Sequence, residues 1–204
     1  MDLEPSSTTL RCKVAVVGAA AVGKTALCSM LADGKFPKTY RMTTVSAPDA
    51  EPGQVSAPHV LYTKRVAIPD TAVSVELFLV DVPGHEVLSD FAPRYWDGAA
   101  AVVGVYDITQ GASLETCMAM VGACRESEQL VASLLVANKI DLDERAAIPR
   151  QAGVEASQQA NLAFFEASAA ESTNVASPFT FIAMEFYKAY ESKCEEYGGG
   201  MVMH

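Results

Sequence analysis

Positive charge is scarce in this 204-residue chain: 15 lysines and arginines stand against 25 aspartates and glutamates, a formal charge of -10. A surface of that sign repels nucleic acid backbones and anionic bilayers, which excludes non-specific binding to either, though not one phosphate ligand in a local pocket. Long apolar runs are missing too. Ala99 to Tyr106 is far too short to cross a bilayer and is interrupted by Gly104. Met1-Asp2-Leu3-Glu4-Pro5 has neither the basic start nor the apolar run of a signal peptide. The five cysteines (Cys12, Cys28, Cys117, Cys124, Cys194) form an odd count with no Cys-x-x-Cys pair. A reduced, intracellular protein with buried thiols is therefore expected rather than a disulfide scaffold. What is present is a chain 50% apolar and 20% charged, enough for one core of ordinary size.

Two periods alternate along it. Lys13 to Val17 is a short β-branched run stopped by Gly18, and Thr25 to Asp33 reads as a helix with Ala26, Leu27, Met30 and Leu31 on one face. Strands are expected at His59 to Ala67 and Ala72 to Val80, joined by a turn at Ile68-Pro69-Asp70-Thr71. A strand (Ala99 to Tyr106), a helix (about Ser113 to Glu128) and a strand (Leu134 to Ala137) follow. A helix near Gln151 to Ala160, a strand at Leu162 to Glu166 and a helix from Pro178 to Tyr197 complete the pattern. Such alternation predicts an α/β fold of three layers: a mainly parallel sheet with one antiparallel edge strand and helices on both faces. One domain is expected over 1–197, with an exposed loop at 46–58, where Pro48, Pro52, Gly53 and Pro58 cluster, and a frayed tail at 198–204.

The chemistry begins at Gly18-Ala19-Ala20-Ala21-Val22-Gly23-Lys24-Thr25, which matches G-x-x-x-x-G-K-S/T between a strand and a helix. Glycines at those two places let the backbone wrap a diphosphate with its N–H groups inward, and the helix N-terminus adds its positive end. Lys24 would reach the β- and γ-phosphates, and the Thr25 hydroxyl would bind Mg²⁺. Asp81-Val82-Pro83-Gly84 follows an apolar strand, at the edge of the sheet where ligands of such folds bind. Asp81 can hold Mg²⁺ through water there, and the Gly84 N–H can meet a γ-phosphate. Read alone, that tetrapeptide is only a turn; its order after the phosphate loop gives it meaning.

Asn138-Lys139-Ile140-Asp141 follows the strand Leu134 to Ala137. A carboxylate at Asp141 accepts from both N1–H and the 2-amino group of guanine, whereas adenine presents an acceptor at N1 and no 2-amino group. The difference, about 1.5–3 kcal/mol for hydrogen bonds to a charged group, favours GTP and GDP over ATP. Lys139 can lay its stem along the base. After the last strand, Ala167-Ser168-Ala169 places a backbone N–H where guanine O6 would fall.

Phosphate loop, D-x-x-G, N-K-x-D and S-A in this order resemble the small GTPases of the Ras superfamily, from Arg11 to about Tyr197. Tyr95-Trp96-Asp97-Gly98 and Val105-Tyr106-Asp107-Ile108-Thr109 look Rab-like. The runs Leu10 to Gly18, Ile68 to Leu79 and Leu135 to Lys139 are similar to the Rab-like subunits of the ciliary transport machinery. The resemblance implies a P-loop GTPase fold, GTP/GDP and Mg²⁺ as ligands, and a place in the cilium or flagellum and the cytoplasm. It also implies a stable heterodimer with a small β-sandwich subunit of the same transport complex, through surfaces near the last helix. Phe181, Phe186, Tyr187 and Tyr190 are candidate contacts there, or plain core. By the same resemblance Phe36 stacks on the base, unless it is a core aromatic at the end of the first helix. Tyr40 closes over the phosphates, and Thr43 completes Mg²⁺ coordination, with Thr44 an adjacent competitor.

The chain departs from the family in four places. Ala20 and Ala21 stand where many fast hydrolysers carry glycine, and a methyl at Ala20 would crowd the attacking water and any arginine finger, a group worth about 10³–10⁵-fold in rate. His85 replaces the water-orienting glutamine; Pro83-Gly84-His85 resembles the translation GTPases, where a histidine orients the water, or His85 is a switch residue without a catalytic role. Slow turnover at most is expected. The loop at 46–58 lengthens the first switch. Met201-Val202-Met203-His204 has no prenylation box, Cys194 lies too far in, and no polybasic stretch is present, so no direct membrane anchor is expected. A cycling Rab-type GTPase of vesicle traffic and a permanently nucleotide-bound structural module are the competing readings.

Overall fold

The computed structural model describes residues 8–37, 61–84, 93–126 and 130–198. Its six-stranded sheet has the order β2-β3-β1-β4-β5-β6. The central strand, β1 (Thr8–Val17), pairs in parallel with β3 (Val73–Asp81) on one side and with β4 (Ala101–Asp107) on the other. β5 (Ala132–Asn138) and β6 (Ala163–Ala167) continue the parallel run, and β2 (Leu61–Ala67) lies antiparallel to β3 as the edge. The expected mainly parallel sheet with one antiparallel edge strand is therefore present.

β1 starts five residues before the expected Lys13. Leu10, Arg11, Cys12 and Lys13 alternate in burial rather than forming an apolar run, and only pairing with β3, Leu10 to Val75 and Cys12 to Leu77, makes them a strand. The β2–β3 turn falls where expected. Asp70 takes φ 59°, Thr71 Oγ1 donates to the Ile68 carbonyl at 3.0 Å, and the same oxygen accepts from Val73 N at 3.1 Å.

Alternation along the strands splits the core into two layers. Val14, Val16, Leu77, Leu79, Val103, Leu134 and Val136 face α1 (Lys24–Asp33) and α5 (Ser177–Gly198), which contribute Leu27, Leu31, Phe179 and Ile182. Ala15, Val17, Val102, Tyr106 and Leu135 face the other way. There they meet Tyr95 of α2 (Pro93–Trp96) and Cys117, Val121 and Cys124 of α3 (Ser113–Cys124). Ala152 and Ala156 of α4 (Arg150–Gln159) pack on the same layer.

Two elements differ from expectation. α2 is a single turn, too short to leave a periodic pattern, held by the buried Tyr95 ring. α3 ends at Cys124 rather than near Glu128: Arg125 caps it with its N–H shared between the Val121 and Gly122 carbonyls at 3.1 Å, and its guanidinium donates to the Ala160 carbonyl. Glu128 itself, the loop at 46–58 and most of the expected tail lie outside the described residues; α5 takes in Gly198.

Cys12, Cys28, Cys117 and Cys124 are buried and Cys194 is exposed, all as free thiols. Burial pushes Cys12, Cys117 and Cys124 up to about 12, which keeps them in the unreactive protonated form. Tyr106 is fully buried, and its hydroxyl finds no hydrogen-bond partner among the described residues. An unpaired buried hydroxyl costs about 1–3 kcal/mol, so Tyr106→Phe is expected to stabilise the protein and raise Tm by about 2–4 °C per kcal/mol recovered, read by thermal melting. A lowered Tm would mean the hydroxyl is satisfied by ordered water.

Candidate nucleotide site

At the carboxyl edge of the sheet, β1 runs out into a loop that returns as α1. The loop alternates ordinary and left-handed backbone: Gly18 has φ 144°, Ala21 63° and Gly23 101°. Val22, fully buried, pins its middle to the core, while Ala20 and Ala21 are exposed on its outer rim. A Cβ on Gly23 would lie 2.3 Å from Asn138 Nδ2, so the backbone there approaches the base-side strand closer than any side chain allows. The first turn of α1 carries no acidic residue, so its N–H groups keep their pull for an anion.

Lys24 turns back over this loop. Its Nζ donates to the Gly18 and Ala19 carbonyls, both at 2.8 Å, and the side chain is buried. Burial lowers its pKa, while the charge of Asp81 acts the other way. Thr25 Oγ1 donates to Asp81 Oδ2 at 2.5 Å, which sets a hydroxyl beside a buried carboxylate at the head of α1. Two hard oxygen donors so placed fit the ligand chemistry of Mg²⁺, which takes few protein ligands and keeps its waters. Gly84 closes in from β3: a Cβ there would stand 2.4 Å from the Gly18 carbonyl oxygen.

The base-side motif is joined to the same loop. Asn138, last residue of β5 and buried, donates from Nδ2 to the Val22 carbonyl at 2.9 Å and accepts from Ala169 N at 3.4 Å. Lys139, at φ 66°, reaches the Ala21 carbonyl at 2.9 Å. Asp141 sits in the 3₁₀ segment Ile140–Arg145 with one oxygen accepting from the buried Ser168 hydroxyl at 2.5 Å. Ser168 Oγ in turn accepts from Glu171 N at 3.0 Å, and paired backbone bonds between Ser168 and Thr173 fold that loop back on itself. The effect is an aimed carboxylate on a rigid mount.

A model of the Ras family matches residues 13–188 of this chain. The chain belongs to the Ras family. Intraflagellar transport protein 27 of Chlamydomonas reinhardtii is 38% identical over 195 residues, covering 92% of this chain and 89% of that protein. The human intraflagellar transport protein 27 homolog is 32% identical over 190 residues, 91% and 95% of the two chains. GTP-binding protein ypt5 of Schizosaccharomyces pombe is 33% identical over 177 residues, 86% and 77%. Ras-family GTPases bind guanine nucleotide; in this chain the described residues Lys24, Thr25, Asp81, Asn138, Lys139 and Asp141 gather at one edge of the six-stranded sheet.

Phe36 stands past the C-cap Gly34 and is 48% exposed, so it is no core aromatic and its ring is open to a ligand. Tyr40, Thr43, Thr44 and His85 lie outside the described residues. One residue beside the site stands in the Rab-like run Val105 to Thr109 without any site role being read from it. Asp107 ends β4, pairs in register with Asn138, and meets Lys139 Nζ at 2.6 Å. Burial acts to raise its pKa, but hydrogen bonds from Lys139 and Thr109 and the Lys139 charge outweigh it and hold the carboxyl below its ordinary value. The available signal was the lone charge closing the apolar strand β4.

Proposed function

We propose that this chain is a GTP- and GDP-binding, Rab-like subunit of the intraflagellar transport B complex, acting in ciliary or flagellar cargo transport with slow intrinsic hydrolysis. The observation that carries the nucleotide reading is the join between Asn138, Lys139 and the phosphate loop, with Asp141 mounted beside it on Ser168. Similarity to proteins named intraflagellar transport protein 27 over most of their length supports the transport reading.

In this reading the Gly18-to-Gly23 amides and the head of α1 take up the negative charge of the phosphates, and Lys24 neutralises the β- and γ-oxygens. The Gly84 N–H meets the γ-phosphate. Asp141 accepts from N1–H and the 2-amino group, Lys139 lies along the base, the Ala169 N–H faces O6, and Phe36 stacks. Tyr40 closes over the phosphates. Thr25, Thr43 and, through water, Asp81 would hold Mg²⁺, whose charge when bound offsets that on the phosphate oxygens. His85 orients the attacking water, and the Ala20 methyl crowds that water's approach, which keeps turnover slow. The partner in the complex is a β-sandwich subunit like intraflagellar transport protein 25, docking near α5. Phe181, Phe186 and Tyr187 are half-buried on the core, the Phe181 ring tilted at 57° to that of Phe165 with centroids 5.6 Å apart, which leaves Tyr190, 41% exposed, as the contact the surface offers. Such a subunit works in the cilium or flagellum and the cytoplasm.

Similarity to ypt5 favours a second reading, a cycling Rab-type GTPase. Nucleotide released from the denatured purified protein, identified by chromatography, is expected to be GDP or GTP; adenine nucleotide, or none, defeats the base assignment. Single-turnover hydrolysis then separates the two readings. Equal slow rates in wild type and His85→Ala remove His85 from catalysis, a slow wild-type rate fits the transport subunit, and a fast wild-type rate that drops with His85→Ala supports the cycling enzyme. Co-purification of a small β-sandwich protein from ciliated cells is the expected result for the transport subunit.

A further inference from the structure

Asp107 is wholly buried, and every oxygen lone pair that matters is spoken for. Oδ1 accepts from Thr109 N at 2.8 Å and Thr109 Oγ1 at 2.7 Å; Oδ2 accepts from Gln110 Nε2 at 2.9 Å and from Lys139 Nζ at 2.6 Å. Its backbone is held as tightly, since the buried Ser113 hydroxyl donates to its carbonyl at 2.8 Å and accepts from its N–H at 3.1 Å. A carboxylate out of water persists only when paired and fully hydrogen-bonded, so this one is a fixed charge on a rigid mount.

The fixed charge acts on one flexible neighbour. Lys139 Nζ is shared between Asp107 Oδ2 and the Ala21 carbonyl, 2.9 Å away on the phosphate loop. Both Lys139 (φ 66°) and Ala21 (φ 63°) hold left-handed backbone that a side chain disfavours. Such conformations persist where surrounding bonds over-determine them, and the ammonium ties both together. Without Asp107 the lysine is a four-carbon stem with a solvated end; with it, the stem is laid across the mouth of the loop.

We propose that Asp107 is a positioning residue for guanine nucleotide: it pins the Lys139 ammonium against the Ala21 carbonyl and so locks the base-binding turn to the phosphate loop before ligand arrives. This rests on the guanine nucleotide reading above. Pre-organisation of this kind shows mainly in the rate of release, because the loop must open to let the ligand go.

Asp107→Asn keeps the volume but turns one of the four accepted bonds into a donor facing a donor. Release of N-methylanthraniloyl-GDP from the full chain, followed by fluorescence after adding excess GDP, is expected to speed up about 10- to 100-fold. The readout that a merely structural role would not move is coupling. In a Lys139→Met background the same Asp107→Asn change is expected to alter release by less than about 2-fold. Thr109→Val, which keeps charge and volume and removes one bond to Oδ1, serves where Asp107→Asn fails to fold. It is expected to speed release about 3-fold, an effect that vanishes with Lys139→Met. Wild-type release rates in the folded variant, or effects that multiply independently of Lys139, overturn the proposal while leaving the nucleotide reading intact. A wild-type chain that takes up no guanine nucleotide overturns both.

Discussion

Gly23→Ala will weaken GDP binding at least about 100-fold by titration calorimetry. Two costs add. The residue sits at φ 101°, where any side chain is strained by about 1–3 kcal/mol. The new methyl would also stand 2.3 Å from Asn138 Nδ2, so either the loop opens or Asn138 swings away and gives up its bond to the Val22 carbonyl. Each 1.4 kcal/mol is a factor of ten in affinity. Because the collision falls on the join between the two halves of the site, phosphate and base contacts should fail together. GDP and GMP, which differ in phosphate number, should then both bind poorly. Binding at wild-type strength would show that the loop is not the cradle.

Asp141→Ala should cost more in selectivity than any other single change. The proposed contacts are two hydrogen bonds to a charged acceptor, each about 1.5–3 kcal/mol, so GDP affinity falls about 10²–10⁴-fold. Inosine diphosphate lacks the 2-amino group and separates this role from a structural one. The wild type should prefer GDP over inosine diphosphate by about ten-fold or more, and the variant should not distinguish them. A preference that survives the substitution would move base recognition to another residue. Ser168, whose hydroxyl now donates to Asp141, would lose that acceptor, so a small loss of thermal stability accompanies the change.

Legibility in the amino-acid sequence depends on range. The phosphate loop is eight contiguous residues whose backbone makes the cradle, and β4 and β5 are apolar runs, so local pattern sufficed for them. Asp107 stands in a Rab-like run, but its pairing with Lys139 was not legible because the partner lies 32 positions along the chain, and only the β4–β5 register brings Asp107 beside Asn138 and the following lysine. The first half of β1 escaped for a similar reason: its alternating residues become a strand only against β3. The aromatics of α5 were ambiguous because helical spacing gives a face but not its rotation. Packing decides that Phe181 lies against Phe165 while Tyr190 points outward.

The groups around the site come from Gly18 at one end of the chain order to Ala169 near the other, each at the tip of a different strand or the head of α1. A ligand gripped there would join β1, β3, β5 and β6, so unfolding of that part of the sheet must first discard it. By mass action it adds about 2.7 kcal/mol at one hundred times its Kd and about 4.1 at one thousand times. On the proposed reading, resistance of the purified chain to proteolysis is therefore expected to climb with the concentration of guanine nucleotide supplied.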